Sequence, residues 1–195
     1  YLVAPGTEIG LFGTMKHAVE NSRLAQWGIC NEIAKDGNSY VCGRVGHLKL
    51  GASSKIGLMC TPELVNLKSV ATLEVQFDQA RYDSDPVTGA VYVINNAQHA
   101  GKDGGYEVTP AINELVAAAE FEIKAGRTFT TEKVTLKNVS PGARIAIGPI
   151  RKDGSTSGSS QHRMYLDNII VKVVAYESSK IELAKPVITS TEVTA

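Results

Sequence analysis

The chain lacks an excess of either charge: among 195 residues, 20 Lys and Arg balance 20 Asp and Glu, and the net charge is zero. A surface for nucleic acid or an anionic membrane usually needs a basic excess, so neither partner is expected. No apolar run approaches the length of a membrane-crossing helix. Cysteine is scarce, with only Cys30, Cys42 and Cys60 and no CxxC spacing. That argues against a metal knuckle and allows one disulfide at most. Two arrangements stand: three mostly buried thiols, or a bridge between Cys42 and Cys60 on neighbouring expected strands. No secretory leader opens the chain, which says nothing about what precedes Tyr1.

Enzyme signatures are missing too. His17, His47, His99 and His162 lie far apart, with no HxH or HExxH spacing. There is no GxSxG elbow, and GKDGG at 101–105 lacks phosphate-loop spacing. Only a glycosidase stays open on this ground, because two distant carboxylates leave no local motif.

What is present is a globular composition, 43% apolar and 21% charged, in a length that suits one all-β domain. The stretch Val45 to Asp78 organises the rest. It reads as a short strand, a Gly/Ser turn, a second strand ending at Thr61-Pro62, and a long strand from Ala71. In ATLEVQFD, Leu73, Val75 and Phe77 point one way while Thr72, Glu74, Gln76 and Asp78 point the other. Period two is the pattern of a sheet with one buried and one wet face.

Further strands are expected at Ile9–Phe12 (an edge), Trp27–Ile33, from Tyr40, at Val91–Ile94, Phe129–Leu136, Ala143–Ile150 and from Met164 to Tyr176. Turns are expected at 51–55, 62–68, 83–89 and 95–105, the last a long Asn/Gly loop of the kind that often carries binding residues. Residues 17–27 read as a short helix or turn. Pro110 to Lys124 is Ala-rich and reads as the one helical insertion, with Thr109 as its N-cap, although Phe121 to Ile123 also fits a strand. The predicted fold is therefore all-β, an antiparallel β-sandwich over 1–181 with one short helical insertion. Residues 182–195 change composition and read either as a linker toward an Ig- or fibronectin-like module or as a disordered terminus.

Three blocks carry a family resemblance: GHLKLGASSKIGLMCTPEL (46–64), ATLEVQFDQARYD (71–83), and KVTLKNVSPGARIAIG (133–148) with RMYLDNIIVKV (163–173). In order they resemble jelly-roll modules of Bacteroidetes-type surface proteins, the cleaved-adhesin or choice-of-anchor modules related to galactose-binding-like carbohydrate-binding modules. About half of the chain is covered. The resemblance implies a jelly roll on a secreted or cell-surface multidomain protein, bound to a glycan or to a host or surface protein, with a structural Ca²⁺ in some relatives.

Candidate site residues follow. Asp167 stands inside the apolar strand Met164–Val174, where a carboxylate needs partners. It reads either as a Ca²⁺ ligand or as a group hydrogen-bonded to nearby backbone. Asp83 and Asp85 form a second oxygen-rich cluster, readable as metal-ligating or as a solvated turn. For a sugar ligand, aromatic rings and planar polar groups are the useful side chains. With aromatics at 6% most must serve the core. Tyr82 and Tyr106 lead as loop residues, followed by Trp27, by Tyr165 facing outward, and by His99 and Arg163. The expected function is non-catalytic carbohydrate binding or adhesion. The alternatives are a spacer or protein-interaction module and, less favoured, a glycoside hydrolase or lyase.

Overall fold

The computed structural model describes residues 9–10, 27–31, 40–44, 46–52, 56–82, 88–95, 98–99, 108–109, 115–124, 126, 128–150 and 163–177. Over these residues the strands are β1 (Ile9–Gly10), β2 (Gly28–Asn31), β3 (Val41–Arg44), β4 (His47–Leu50), β5 (Gly57–Cys60), β6 (Ala71–Arg81), β7 (Thr88–Ile94), β8 (Gln98–His99), β9 (Val108–Thr109), β10 (Ala119–Glu122), β11 (Thr130–Val139), β12 (Arg144–Pro149) and β13 (Met164–Tyr176).

They form a six-stranded sheet in the order β1-β3-β4-β13-β6-β11, a five-stranded sheet in the order β10-β7-β12-β5-β2, and the small pair β8-β9. Among the described residues every strand pairing is antiparallel. The chain passes from one large sheet to the other at each step of β4-β5-β6-β7 and again of β10-β11-β12-β13, the interleaving of a jelly roll. The all-β expectation holds.

Alternation decides which side chains fill the space between the sheets. Leu73, Val75 and Phe77 of β6, Val134 and Leu136 of β11, and Met164 and Leu166 of β13 face Met59, Val91, Ile145 and Ile147 of the second sheet. Phe77 meets Phe121 edge-on at 4.9 Å, a favourable aromatic geometry. The five-stranded sheet is also covered on its far side, where Leu58, Cys60, Ala90, Tyr92, Ile94 and Ala146 form a second apolar cluster with Leu115, Ala117 and Ile150 against it. Strands buried on both faces lose the apolar/polar alternation, which is why GLMC and RIAIGP are buried throughout. The six-stranded sheet keeps a wet outer face, and in the five-stranded sheet the edge strand β10 exposes Glu120 and Glu122.

Several expectations need correction. Residues 115–124 are not helical: 115–118 are irregular and Ala119–Glu122 is a strand paired with Val91 to Thr88 of β7. Alanine propensity is a weak prior, and burial of Phe121 and Ile123 outweighs it. Thr109 lies in β9, paired with Gln98, and residues 110–114, where the expected helix would start, lie outside the described residues. The turn expected at 83–89 ends earlier, because Thr88 and Gly89 already belong to β7. The helix or turn at 17–27 lies outside the described residues except for Trp27, and so does the tail from 182. Cys42 and Cys60 are both thiols, on different sheets.

Candidate functional site

The outer face of the six-stranded sheet is set by register. Arg44 pairs with His47 and Cys42 with Lys49, so these side chains share the side opposite Val41 and Leu50, both core residues. Tyr165 lies between Lys49 on β4 and Ala80 on β6. Asp78 is opposite Asp167 on one side and Thr131 on the other. The small side chain of Ala80 beside Tyr165 leaves a bay on the sheet, and rings from three neighbouring segments close on it. His47 meets the Tyr165 ring at 4.9 Å, Tyr82 at 5.4 Å and Phe129 at 6.4 Å.

Cations surround these rings. The Arg44 guanidinium donates a 2.8 Å hydrogen bond to the Tyr165 hydroxyl and lies 5.6 Å from that ring's centroid. The Arg163 guanidinium lies 4.0 Å from the centroid of Tyr82, and Lys49 Nζ approaches the same ring at 5.8 Å. Guanidinium stacking of this kind is attractive through the ring quadrupole.

One strand-spacing further along, the face turns acidic. Asp78 accepts the Thr131 hydroxyl at 2.6 Å and Asn168 Nδ2 at 2.7 Å. Asn168 also donates its backbone N–H to Asp167 at 2.8 Å, so one residue separates two carboxylates that register would set face to face. The Asn168 and Thr131 bonds hold the Asp78 carboxyl below its usual range, because they favour the charged form.

Beside this row β4 stops pairing with β13 at Leu48 and Leu166. There a cavity of about 360 Å³ opens, floored by Trp27, Leu48, Met59, Leu166 and Ile169, with Arg44, His47, Asp167 and Asn168 also lining it.

The structure thus brings together Tyr82, Tyr165 and Arg163 from the expected set. Trp27 stands apart from the rings, in the cavity wall. His99 is placed in β8 by its backbone alone, and Tyr106, Asp83 and Asp85 lie outside the described residues. Sequence reasoning did not single out Arg44, Lys49, Phe129 or Asp78, noted Asn168 only beside Asp167, and took His47 only as an isolated histidine. The HLKL alternation, with His47 and Lys49 on the same side, was the available signal for two of them. The acidic neighbour of Asp167 is Asp78 on β6, already bonded twice, and among the described residues no three His, Cys, Asp or Glu gather.

No protein-family model and no curated protein matches the sequence. Among solved structures, the K1 cleaved adhesin domain of Lys-gingipain from Porphyromonas gingivalis W83 is similar at 15% identity and a TM-score of 0.48, over 87% of this chain and 100% of that one. The CBM22-1 xylan-binding domain of Paenibacillus barcinonensis Xyn10C is similar at 10% identity and a TM-score of 0.45, over 90% of this chain and 100% of that one. The K3 cleaved adhesin domain of Lys-gingipain from P. gingivalis W83 is similar at 15% identity and a TM-score of 0.44, over 86% and 99%. The cleaved-adhesin domains that the sequence blocks resemble are thus among the similar structures.

Proposed function

We propose that the chain is a non-catalytic saccharide-binding module of an extracellular or surface-anchored multidomain protein, with the outer face of the six-stranded sheet as its recognition surface. The observation that carries this reading is the convergence of Tyr82, Phe129 and His47 on Tyr165 at a water-facing position. A chain with so few aromatics places this cluster outside the apolar layers that its core would otherwise fill. Rings on a flat sheet, flanked by Arg, Asn and Asp, suit a ligand with apolar C–H faces and many hydroxyls. Catalysis is not supported by the facing acids. A glycosidase keeps one carboxyl protonated near neutrality, whereas the bonds to Asp78 pull its proton affinity down.

The test is a glycan array with affinity electrophoresis on polysaccharides, run with calcium and with chelator. Saccharide binding that falls by about tenfold in Tyr82→Ala is the expected result. Loss with chelator alone would assign the calcium role to Asp83 and Asp85.

A second reading, contact with a neighbouring domain, has its own observation. After its register against β6 shifts between Asp167 and Ile170, β13 exposes Ile170, Val173, Val174 and Tyr176, and no described strand pairs with its edge on the β4 side after Leu166. Absence of saccharide binding in both buffers would move the assignment there.

A further inference from the structure

We infer that the cavity beside β13 is a pocket for the end residue of a glycan, and that it selects a terminal sugar carrying a methyl group, a 6-deoxyhexose or an N-acetylhexosamine; this rests on the saccharide-binding reading above. Shape is the first ground. The cavity holds about 360 Å³, at the small end of the roughly 300–1,000 Å³ of ligand pockets. Met59 and Leu166, both fully buried, close its floor. Such a space admits one sugar ring, and a chain cannot run through it, so the sugar that enters is the last of its chain. The rings around Tyr165 differ, since they stand on a sheet face along which a chain interior can lie.

The second ground is the distribution of polarity. Met59 and Leu166 belong to the layer between the sheets, and Trp27, Leu48 and Ile169 pack against that layer. Asp167 stands opposite Asp78 on the outer side, where the Asn168 side chain bonds to Asp78. The cavity is therefore polar where it meets the outer face and apolar at depth. Trp27, half-buried in its wall, supplies ring surface for the C–H face of a sugar. Asp167 accepts the Asn168 backbone N–H with Oδ1, and its Oδ2 is an acceptor for a sugar hydroxyl in a charge-assisted bond. Arg44 and His47 also line the cavity and are held against Tyr165; the fit needs neither. At the apolar floor a hydroxymethyl group would lose its water without gaining a partner, whereas a methyl group gains contact at no such cost.

The test is calorimetric titration of the full chain with methyl glycosides in two matched pairs, each differing by one hydroxyl on the group meant for the floor. The L-fucoside is compared with the L-galactoside, and the N-acetylglucosaminide with the N-glycolylglucosaminide. The methyl-bearing member of one pair should bind about tenfold or more tightly than its hydroxylated counterpart. The pair that responds tells a 6-deoxy sugar from an acetamido sugar. Trp27→Ala and Asp167→Asn should each weaken both members of that pair by about tenfold, and Asp167→Asn should keep their ratio. Ile169→Thr keeps a β-branched side chain and adds a hydroxyl at depth, so it should shrink the ratio to within about threefold. Melting curves of the three variants check that the fold is intact. Equal affinity within both pairs, a preference unchanged in Ile169→Thr, or binding unaffected by Trp27→Ala overturns this inference. Polysaccharide binding on the array with no glycoside bound in the titration also overturns it and leaves the saccharide reading standing. No binding in any arm overturns both.

Discussion

Gly89 pairs directly with Phe121 between β7 and β10, and a methyl at that position would lie 2.2 Å from the ring's Cζ and 2.5 Å from Cε2. The ring cannot simply move away, because its other neighbour is Phe77 in the closed core. Gly89→Ala is therefore expected to cost about 1–3 kcal/mol by overpacking, read from denaturant midpoints. In a Phe121→Leu background the same change should cost clearly less. Equal costs in the two backgrounds would show that the ring is not the obstacle. A second residue-scale effect concerns pH. The Asp78 carboxyl titrates below its unfolded value in the folded chain, so its contribution is complete above that value and is lost as pH falls through the folded one. Melting temperature should thus drop on acidification below about pH 4. Asp78→Asn should flatten that slope while leaving the rest of the acid limb. Because the pair is exposed, the change will be small. An identical slope in wild type and variant would mean that the Asn168 and Thr131 bonds add nothing to stability.

At the scale of elements, β13 does two jobs through the first of its two register shifts against β6, where it carries one extra residue. Its register against β6 shifts between Asp167 and Ile170, so Met164 and Leu166 face the core before the shift and Ile169 and Val171 pack against the same core after it. Without the extra residue, Asn168 would point inward and Ile169 into water. Asn168 takes φ 49° at this point, and Asn138 takes φ 58° in β11 on the other side of β6. Asn is among the few non-glycine residues that enter the left-handed region at low cost. Asn168→Gly should therefore cost only the Asp78 hydrogen bond, about 0.5–1.5 kcal/mol. Asn168→Val adds backbone strain of about 1–3 kcal/mol to that loss. Equal costs for the two would argue that the bulge relaxes. This bulge also shows how far the sequence could be read. Period two in ATLEVQFD marked β6 correctly because nothing interrupts it. In MYLDNII the alternation breaks, and Asp167-Asn168 stood out as polar residues in an apolar strand. Asn168's left-handed turn is set by pairing with β6, which a local pattern does not contain. For the same reason residues 119–122 became a strand despite their alanines, because β7 was there to pair with.

At the scale of the whole molecule, the two sheets differ in kind. The five-stranded sheet is covered on both sides apart from its edge strand β10, and the six-stranded one has a wet face where the ring cluster sits. Tyr82, Tyr165 and Arg163 were legible as useful residue types, but their meeting with Arg44, His47, Lys49 and Phe129 joins segments more than 100 positions apart, for example Arg44 and Tyr165. A zero net charge concealed the local gathering of cations, since totals carry no position. The same two-sheet geometry settles the cysteines. Cys42 shares the outer side of the six-stranded sheet with Lys49, and Cys60 belongs to the apolar layer on the far side of the other sheet. Packed sheets lie about 10 Å apart, and a disulfide needs Cα atoms within about 7 Å, so the two thiols are on opposite sides of the sandwich and out of reach. Both of them are thiols, so no bridge joins the two faces. The melting temperature should accordingly be the same with and without reductant, to within about 1 °C. A bridge worth about 2–4 kcal/mol would shift it by several degrees. Alkylation of the denatured but unreduced chain should label both Cys42 and Cys60. A fall in melting temperature on reduction, together with a single labelled thiol, would overturn the placement of Cys42 and Cys60 on opposite faces, and with it the register of β3 and β4 that puts Arg44, His47 and Lys49 on the outer face.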